Sequence, residues 1–321
     1  MYHNFAQNIK RNKSALGLAL TSSNDGETPT TSKKLNLIRL SDHIAPTNIE
    51  SPIDGIQAAY YINIDSSTER RLHMEAILSD PMFRKANCNV FRIPAIDGRD
   101  SRFRVEDHFV FYGGTQQNPR MMPTEYACTL SHIKAIHQFA RDVEENNWDY
   151  DSMALIAEDD LSLEFVHFWP KSVRDLVNAA VECGSLPEDW EVLQLSYCLF
   201  APVPSGKYAE PWHISKNYCG TIAYLIRYPA AVRLVQYLCQ FSNPSDPNQK
   251  YYIGGEHPYY HHSDRFLFSF FRTYTSNPPL MTYRDSNDST IHMDHVDYHA
   301  KSKERTKRMW LGWDASESSV P

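Results

Sequence analysis

Short apolar runs alternate with amphipathic stretches along most of this chain. The runs at 58–65, 90–95, 153–158, 190–195 and 221–226 predict strands, because each is short and rich in β-branched, aromatic or aliphatic residues. Apolar residues at helical spacing predict one helix that begins within 66–71. They also predict helices over 124–143, 165–183 and 229–241. Strands that alternate with helices indicate an α/β fold built on a mainly parallel sheet.

Two of these helices have recognisable start signals. Ser66 or Ser67 can cap the first one, with Glu69 in its first turn. Its expected apolar face is formed by Leu72, Ala76 and Ile77. The helix at 124–143 begins at Thr124 with Glu125, and its expected apolar face is formed by Ala127, Leu130, Ile133, Ala135, Ile136 and Phe139.

The polarity of the chain divides it into three parts. Residues 1–57 are rich in Ser, Thr, Asn and Lys and predict a flexible or loosely docked extension, with one short strand or turn at 35–40. Residues 58–300 carry the strand–helix alternation and predict a single catalytic domain. Residues 301–321 are interpreted as a C-terminal tail.

Composition narrows the class of protein. The 321 residues are 42% hydrophobic and 22% charged, which is typical of a globular protein, and the net charge of −7 argues against a nucleic-acid binder. We find no secretory signal and no apolar run of about 18 residues, so we expect no transmembrane segment and a cytoplasmic protein, in the host cytoplasm if it is virus-encoded. The six cysteines form no C-x-x-C pair and are interpreted mainly as buried thiols.

Three consecutive acids follow the apolar run that begins at Met153. Glu158, Asp159 and Asp160 stand at the predicted carboxyl end of a strand, where open α/β sheets bind their ligands. Neighbouring carboxylates repel one another, and Mg²⁺ or Mn²⁺ would relieve that repulsion. The pattern therefore predicts a metal-dependent enzyme that acts on a phosphate-bearing substrate. The alternative is that the acids cap a helix that starts at Leu161.

A series of segments, in this order, resembles glycosyltransferase family 25. The series consists of 61–65 with 69–71, 91–98, 124–132, 154–160, 189–195, 220–226 and 289–291. That family includes lipooligosaccharide galactosyltransferases of bacteria and collagen galactosyltransferases of animals, with related members in large DNA viruses. The resemblance implies a GT-A-like fold, with a single Rossmann-like, mainly parallel sheet flanked by helices. It also implies Mn²⁺ (or Mg²⁺) and a UDP-sugar donor, whose hexose (galactose or glucose) is transferred to a hydroxyl of a glycan or glycoprotein acceptor with inversion.

The resemblance also suggests roles for individual residues. Asp160 and Glu158 are the expected metal ligands, with His292 ranked above His295 as a third. The catalytic base is expected to be Asp264, with Glu256 as the competitor, although Asp264 could instead cap a helix or pair with Arg265. The residues expected to contact the nucleotide sugar are Asn63, Asp65, Arg70, Asp97, Gly98, Thr124, Ser131, His132 and Glu158.

Other interpretations of the same residues remain open. His132 could be a hydrogen-bonded core residue, and the turn at Asp97 and Gly98 could be only a turn. A metal-dependent hydrolase or phosphatase would use similar acids to activate water. A non-catalytic glycan-binding or virion structural protein could retain the transferase fold, and it would bind a donor without turning it over.

Overall fold

The computed structural model describes residues 51–112, 117–198, 208–213, 218–240, 250–254, 261–284 and 296–311. The strands are β1 (Ala58–Asn63), β2 (Asn89–Pro94), β3 (Phe109–Tyr112), β4 (Met153–Glu158), β5 (Leu161–Ser162), β6 (Val192–Cys198), β7 (Ala209–Pro211), β8 (Cys219–Arg227), β9 (Tyr251–Gly254), β10 (Thr273–Ser276) and β11 (Thr282–Tyr283). The α-helices are α1 (Thr68–Leu78), α2 (Pro81–Lys85), α3 (Val105–His108), α4 (Pro123–Glu145), α5 (Val173–Glu182), α6 (Tyr228–Leu238), α7 (Ser263–Phe270) and α8 (Val296–Trp310).

A seven-stranded sheet with the order β2-β1-β4-β8-β6-β10-β7 forms the centre of the described fold. β8 runs antiparallel to β4 and β6, and β7 runs antiparallel to β10, while the other neighbouring pairs are parallel. Two small sheets, β11-β5 and β3-β9, lie outside it. This mixed α/β architecture with a mainly parallel sheet confirms the predicted fold class.

Helices cover both faces of the sheet, and β1 is buried on each side. Tyr60 belongs to the hydrophobic layer that contains Phe139 of α4, and its ring stacks on Phe91 of β2. Tyr61, on the opposite face, belongs to the layer that contains Met74 of α1. A strand buried on both faces needs an almost continuous apolar sequence, which explains why β1 and β4 were recognisable as uninterrupted runs.

The buried face of α1 differs from the prediction. Leu72 is 65% exposed, whereas Met74 and Leu78 are buried against the sheet. Leu72 precedes Met74 by two residues, which is about 200° around a helix, so both cannot face the core. Ser67 occupies the N-cap position but makes no side-chain capping hydrogen bond.

The stretch at 165–183 is not one helix. A 3₁₀ turn covers Val166–Phe168, and α5 begins only at Val173. Pro170 lies between the two pieces and cannot donate a backbone hydrogen bond, while the Ser172 hydroxyl caps α5 by accepting from the Asp175 amide (3.2 Å). The alternative helix at Leu161 is also wrong, because Leu161 pairs with Tyr283 in the β5–β11 ladder.

The packed core extends beyond 58–300. Ile53 and Ile56 are buried in the layer that contains Tyr61, and the Trp310 indole donates to the Pro279 carbonyl (2.9 Å). The strand or turn expected at 35–40 lies outside the described residues. Within those ranges, every helix is too short or too polar to cross a bilayer.

Candidate functional site

The carboxyl ends of β1 and β4 meet at one edge of the sheet. Ile62 pairs with Glu158 in the parallel ladder, so the next residues, Asn63 and Asp159, lie side by side. The Asn63 amide donates to Asp159 Oδ2 (2.7 Å). Arg70 of α1 donates to Asp159 Oδ1 (2.5 Å), and its second terminal nitrogen lies 3.5 Å from Asp160 Oδ2. Asp159 is thus held by neighbours on both sides.

Glu158 faces a different set of side chains. Its Oε1 accepts from the Thr221 hydroxyl of β8 (2.7 Å) and lies 3.4 Å from Nε2 of His132 on α4. Nδ1 of His132 lies 3.2 Å from the Tyr224 hydroxyl. Burial alone would raise the pKa of Glu158, but the His132 imidazole 3.4 Å away and the hydrogen bond from Thr221 outweigh it and hold this pKa below its usual range.

Asp160 has the chemistry of a cation ligand. Burial, followed by the neighbouring charge of Glu158, raises the pKa of Asp160 to about 7, against the lowering effect of Arg70. Its Oδ1 is buried and has no hydrogen-bond partner among the described residues. A buried carboxylate oxygen without a partner, beside two further acids, fits a hard divalent cation such as Mn²⁺ or Mg²⁺.

A cleft of about 550 Å³, open to solvent, is lined by Glu158 and Asp159, whereas Asp160 is not among its lining residues. Seven of the nine residues expected to contact the donor line it: Arg70, Asp97, Gly98, Thr124, Ser131, His132 and Glu158. Asn63 and Asp65 are not among the lining residues. Asn63 is buried under Asp159, and Asp65 is an exposed residue that pairs with Arg92.

One wall of the cleft is a turn that packs tightly on α4. Ser131 accepts a hydrogen bond from the Ile96 amide (2.9 Å) and donates to the Ala127 carbonyl (2.7 Å), so its hydroxyl positions the turn. A Cβ atom at Gly98 would lie 2.5 Å from the Cα of Thr124. Glycine is therefore required here by the closeness of the two backbones.

Asp264 lies in the first turn of α7, after His262 at the N-cap position. Its Oδ2 accepts from the Gly220 amide (3.1 Å) and its Oδ1 from the amide of Arg265 (2.7 Å). The adjacent Ser263 hydroxyl lies 3.0 Å from that of Thr221, the residue that donates to Glu158. The fold thus brings Asp264 to the same edge of the sheet as the acids.

Two expected site residues, Glu256 and His292, lie outside the described residues, as does His295. Conversely, Cys128, Thr221 and Ser263 belong to the site but were not singled out from the sequence. Cys128 precedes His132 by one helical turn, and this spacing was the signal available for it. Burial raises the pKa of the Cys128 thiol, and nearby Glu158 adds to that effect.

Comparison with known families shows which family this chain belongs to. A profile of glycosyltransferase family 25, described as LPS biosynthesis protein, matches residues 56–248, more than half of the chain. The chain belongs to glycosyltransferase family 25. No curated protein matches it. Among solved structures, a glycosyltransferase involved in the glycosylation of the major capsid of PBCV-1 is similar over 78% of this chain and 98% of that chain, with 9% identity and a TM-score of 0.30.

Family 25 membership makes this protein a glycosyltransferase, as expected from the sequence. The matched region runs from the start of β1 through α6 and contains the three acids and every residue that lines the cleft. Asp264 lies beyond the end of that region, so its place beside Gly220 is known from the fold alone. A glycosyltransferase uses a donor and an acceptor substrate.

Proposed function

We propose that this glycosyltransferase transfers galactose or glucose from a UDP-sugar to a hydroxyl of a glycan or protein-linked acceptor, with inversion at the anomeric carbon. The observation that carries the proposal is the buried Oδ1 of Asp160, which has no hydrogen-bond partner among the described residues. Asp160 lies two residues after Glu158, which lines the cleft. Such acids suit a substrate whose leaving group is a diphosphate.

Asp160 and Glu158 would hold Mn²⁺ (or Mg²⁺), with His292 as a third ligand. When bound, the ion neutralises the negative charge that develops on the diphosphate as the glycosidic bond breaks. Arg70, which contacts both Asp159 and Asp160, keeps these acids in place and adds positive charge at the same edge.

The first turn of α4 supplies further donor contacts. The hydroxyl of Thr124 lines the cleft, is buried and has no hydrogen-bond partner in the described part of the chain. Amide groups at a helix N-terminus attract negative charge, so Thr124 and this turn are suited to bind the donor diphosphate or ribose. Arg99, on the opposite turn, lines the same cleft and pairs with Asp97.

Asp264 is the residue that we propose as catalytic base. Its carboxylate accepts the proton of the acceptor hydroxyl as that oxygen attacks the anomeric carbon and the bond to the diphosphate breaks. The Gly220 amide fixes the orientation of Asp264 from β8. A single displacement of this kind inverts the configuration, and UDP leaves with the bonding electrons.

A thermal-shift experiment with UDP-galactose and UDP-glucose, each with Mn²⁺, Mg²⁺ or a chelator, tests the proposal. We expect one UDP-sugar to raise Tm only when metal is present, because a ligand bound to the native state stabilises it by mass action. Transfer is then measured with glycan acceptors.

Two variants sharpen this test. Asp160→Ala should lose both the metal-dependent shift in Tm and the sugar transfer. The variant should remain folded, because removing a buried acid relieves the repulsion between neighbouring carboxylates. Asp151→Ala is the control, because Asp151 pairs with Arg227 on the surface. Full activity of Asp160→Ala would overturn the metal assignment. A donor-dependent shift with no transfer to any acceptor would favour the non-catalytic glycan-binding or virion structural alternative.

A further inference from the structure

Three different metal-ligating side chains converge on the floor of the cleft. Cys128 and His132 project from successive turns of α4, and Glu158 comes from the end of β4. The thiol sulfur, an imidazole nitrogen and a carboxylate oxygen all lie within 4.8 Å of one another. The hard-cation role discussed above draws on Asp160 and Glu158 and does not account for a thiol and an imidazole at this place.

The separations suit a small tetrahedral ion. Nε2 of His132 lies 3.4 Å from Oε1 of Glu158. With Zn–N and Zn–O bonds of about 2.1 Å at a tetrahedral angle, the two ligand atoms should be roughly 3.4 Å apart. His132 is 0% exposed, and its Nε2 makes no hydrogen bond of suitable geometry within the described ranges. This nitrogen is therefore aimed at the carboxylate across a gap of the correct size.

Each of the three side chains is held by a second residue. Nδ1 of His132 lies 3.2 Å from the Tyr224 hydroxyl, which leaves Nε2 as the ligand atom when Nδ1 carries the proton. The Thr221 hydroxyl donates to Glu158 (2.7 Å), and the Cys128 thiol lies 3.6 Å from the Ser263 hydroxyl. Partners of this kind orient metal ligands in protein sites.

We propose that Cys128, His132 and Glu158 bind a thiophilic divalent cation of the zinc class, at a site that shares Glu158 with the hard-cation site but does not use Asp160. One thiolate and one carboxylate neutralise the two charges of the ion, which is important for a buried cluster. Sulfur and imidazole ligands favour zinc over the hard cations that prefer carboxylate oxygen. Binding transfers the thiol proton of Cys128 to solvent, since only the thiolate ligates.

Cobalt titration of the chelator-treated full-length protein, with a thiol-free reductant, tests this site. Co²⁺ bound to a thiolate gives a near-ultraviolet charge-transfer band that oxygen or nitrogen ligands do not give. We expect the band to saturate at one equivalent and to disappear when Zn²⁺ is added. Absence of the band in the wild-type protein would overturn the proposal.

Three variants assign the band. Cys128→Ser should abolish it, whereas Cys183→Ser, at the exposed end of α5, should keep it. Asp160→Asn should also keep the band, because Asp160 is not one of the three ligands. A band that persists in Cys128→Ser, or that disappears in Asp160→Asn, would contradict the assignment. This readout requires neither donor nor turnover, so it can fail independently of the proposed transferase chemistry.

Alkylation of the wild-type protein provides a test that does not depend on the folding of a variant. Iodoacetamide labelling followed by peptide mapping should show that Zn²⁺ slows modification of Cys128 at least tenfold and leaves Cys183 unaffected. Equal labelling of Cys128 with and without Zn²⁺ would overturn the proposal.

Discussion

The side-chain amide of Asn63 donates to Asp159 across 2.7 Å and so joins the carboxyl ends of two adjacent parallel strands. The same amide group lies 3.2 Å from the Ser67 carbonyl, and its oxygen accepts from Arg92 (3.1 Å). Asn63 therefore uses both its donor and its acceptor capacity within the protein. It ties the end of β1 to Asp159, and it is not among the residues that line the cleft.

Asn63→Asp should destabilise the fold. The substitution places a second carboxylate beside Asp159 in a buried environment and removes the donated hydrogen bond. We expect the free energy of unfolding to fall by about 1–3 kcal/mol. Urea denaturation at neutral pH measures this loss, with Asn89→Asp on the exposed edge of β2 as the matched control. An unchanged midpoint for Asn63→Asp would contradict the role given to this residue.

The sheet could be predicted from sequence because its central strands are buried on both faces. Ala154, Leu155 and Ile156 are fully buried, and such a run is apolar whatever its neighbours are. The buried face of α1 was harder to predict because this helix buries few residues against the sheet. Leu72 is exposed and Met74 is buried, and the sequence alone does not show which of the two faces the core. A local apolar pattern predicts that a helix exists but does not define which of its faces is buried.

The site was predictable only in part, for a related reason. The acids at 158–160 stand together in the sequence and mark the end of a strand without any tertiary information. Thr221 and Ser263 belong to the same site only because β8 pairs with β4 and α7 packs beside the start of β8. No local pattern reports such pairings. The role of Ser131 was likewise not evident from local sequence. Ser131 lines the cleft, but its hydroxyl makes both of its hydrogen bonds within the protein, to the Ile96 amide and the Ala127 carbonyl.

Asp264→Asn should reduce kcat with little change in donor binding. The asparagine oxygen can still accept from the Gly220 amide, although its side-chain nitrogen cannot accept from the Arg265 amide as Oδ1 does. The asparagine side chain cannot take a proton from the acceptor hydroxyl. Loss of a general base typically lowers the rate by about 10²–10⁴-fold. Initial rates over a range of donor concentrations separate kcat from KM, and Asp151→Asn is the matched surface control. Wild-type kcat in Asp264→Asn would assign the base to another residue.

Gly98→Ala should disturb the cleft through a steric clash. An added Cβ would lie 2.5 Å from Thr124 Cα and 2.6 Å from the Pro123 carbonyl oxygen, and backbone atoms cannot move aside as a flexible side chain can. We expect a stability loss of about 1–3 kcal/mol, as for overpacked sites, together with weaker donor binding.

Gly184→Ala is an informative comparison for that experiment. Gly184 has a φ of +72°, and no atom of the described residues lies within 4 Å of a Cβ built there, so alanine is strained by the backbone conformation alone. It should lower stability without altering donor affinity. Thermal unfolding and donor titration of both variants separate the two effects. Equal donor affinity in Gly98→Ala and the wild-type protein would show that the turn at Gly98 does not shape the donor site.

His261 should make stability depend on pH in the mildly acidic range. This residue is 2% exposed, and its Nδ1 lies 3.1 Å from the Tyr126 hydroxyl, which itself accepts from the Asn118 amide (2.7 Å). The imidazole of His261 is thus within hydrogen-bond distance of this hydroxyl. Burial, and to a lesser degree the neighbouring His262, lowers the pKa of His261 to about 4.

The unfolded chain protonates this histidine near pH 6.5, whereas the folded chain does so only near its lowered pKa of about 4. Between those values the unfolded state binds more protons, so the contribution of His261 to stability falls as the pH falls through this window. We expect a loss of about 1–3 kcal/mol, measured by urea denaturation from pH 7.5 to 4. His261→Asn keeps an acceptor for Tyr126 but cannot titrate, and it should flatten this part of the profile, whereas the exposed His167→Asn should not. The same slope in His261→Asn and the wild-type protein would assign the acid sensitivity to other groups.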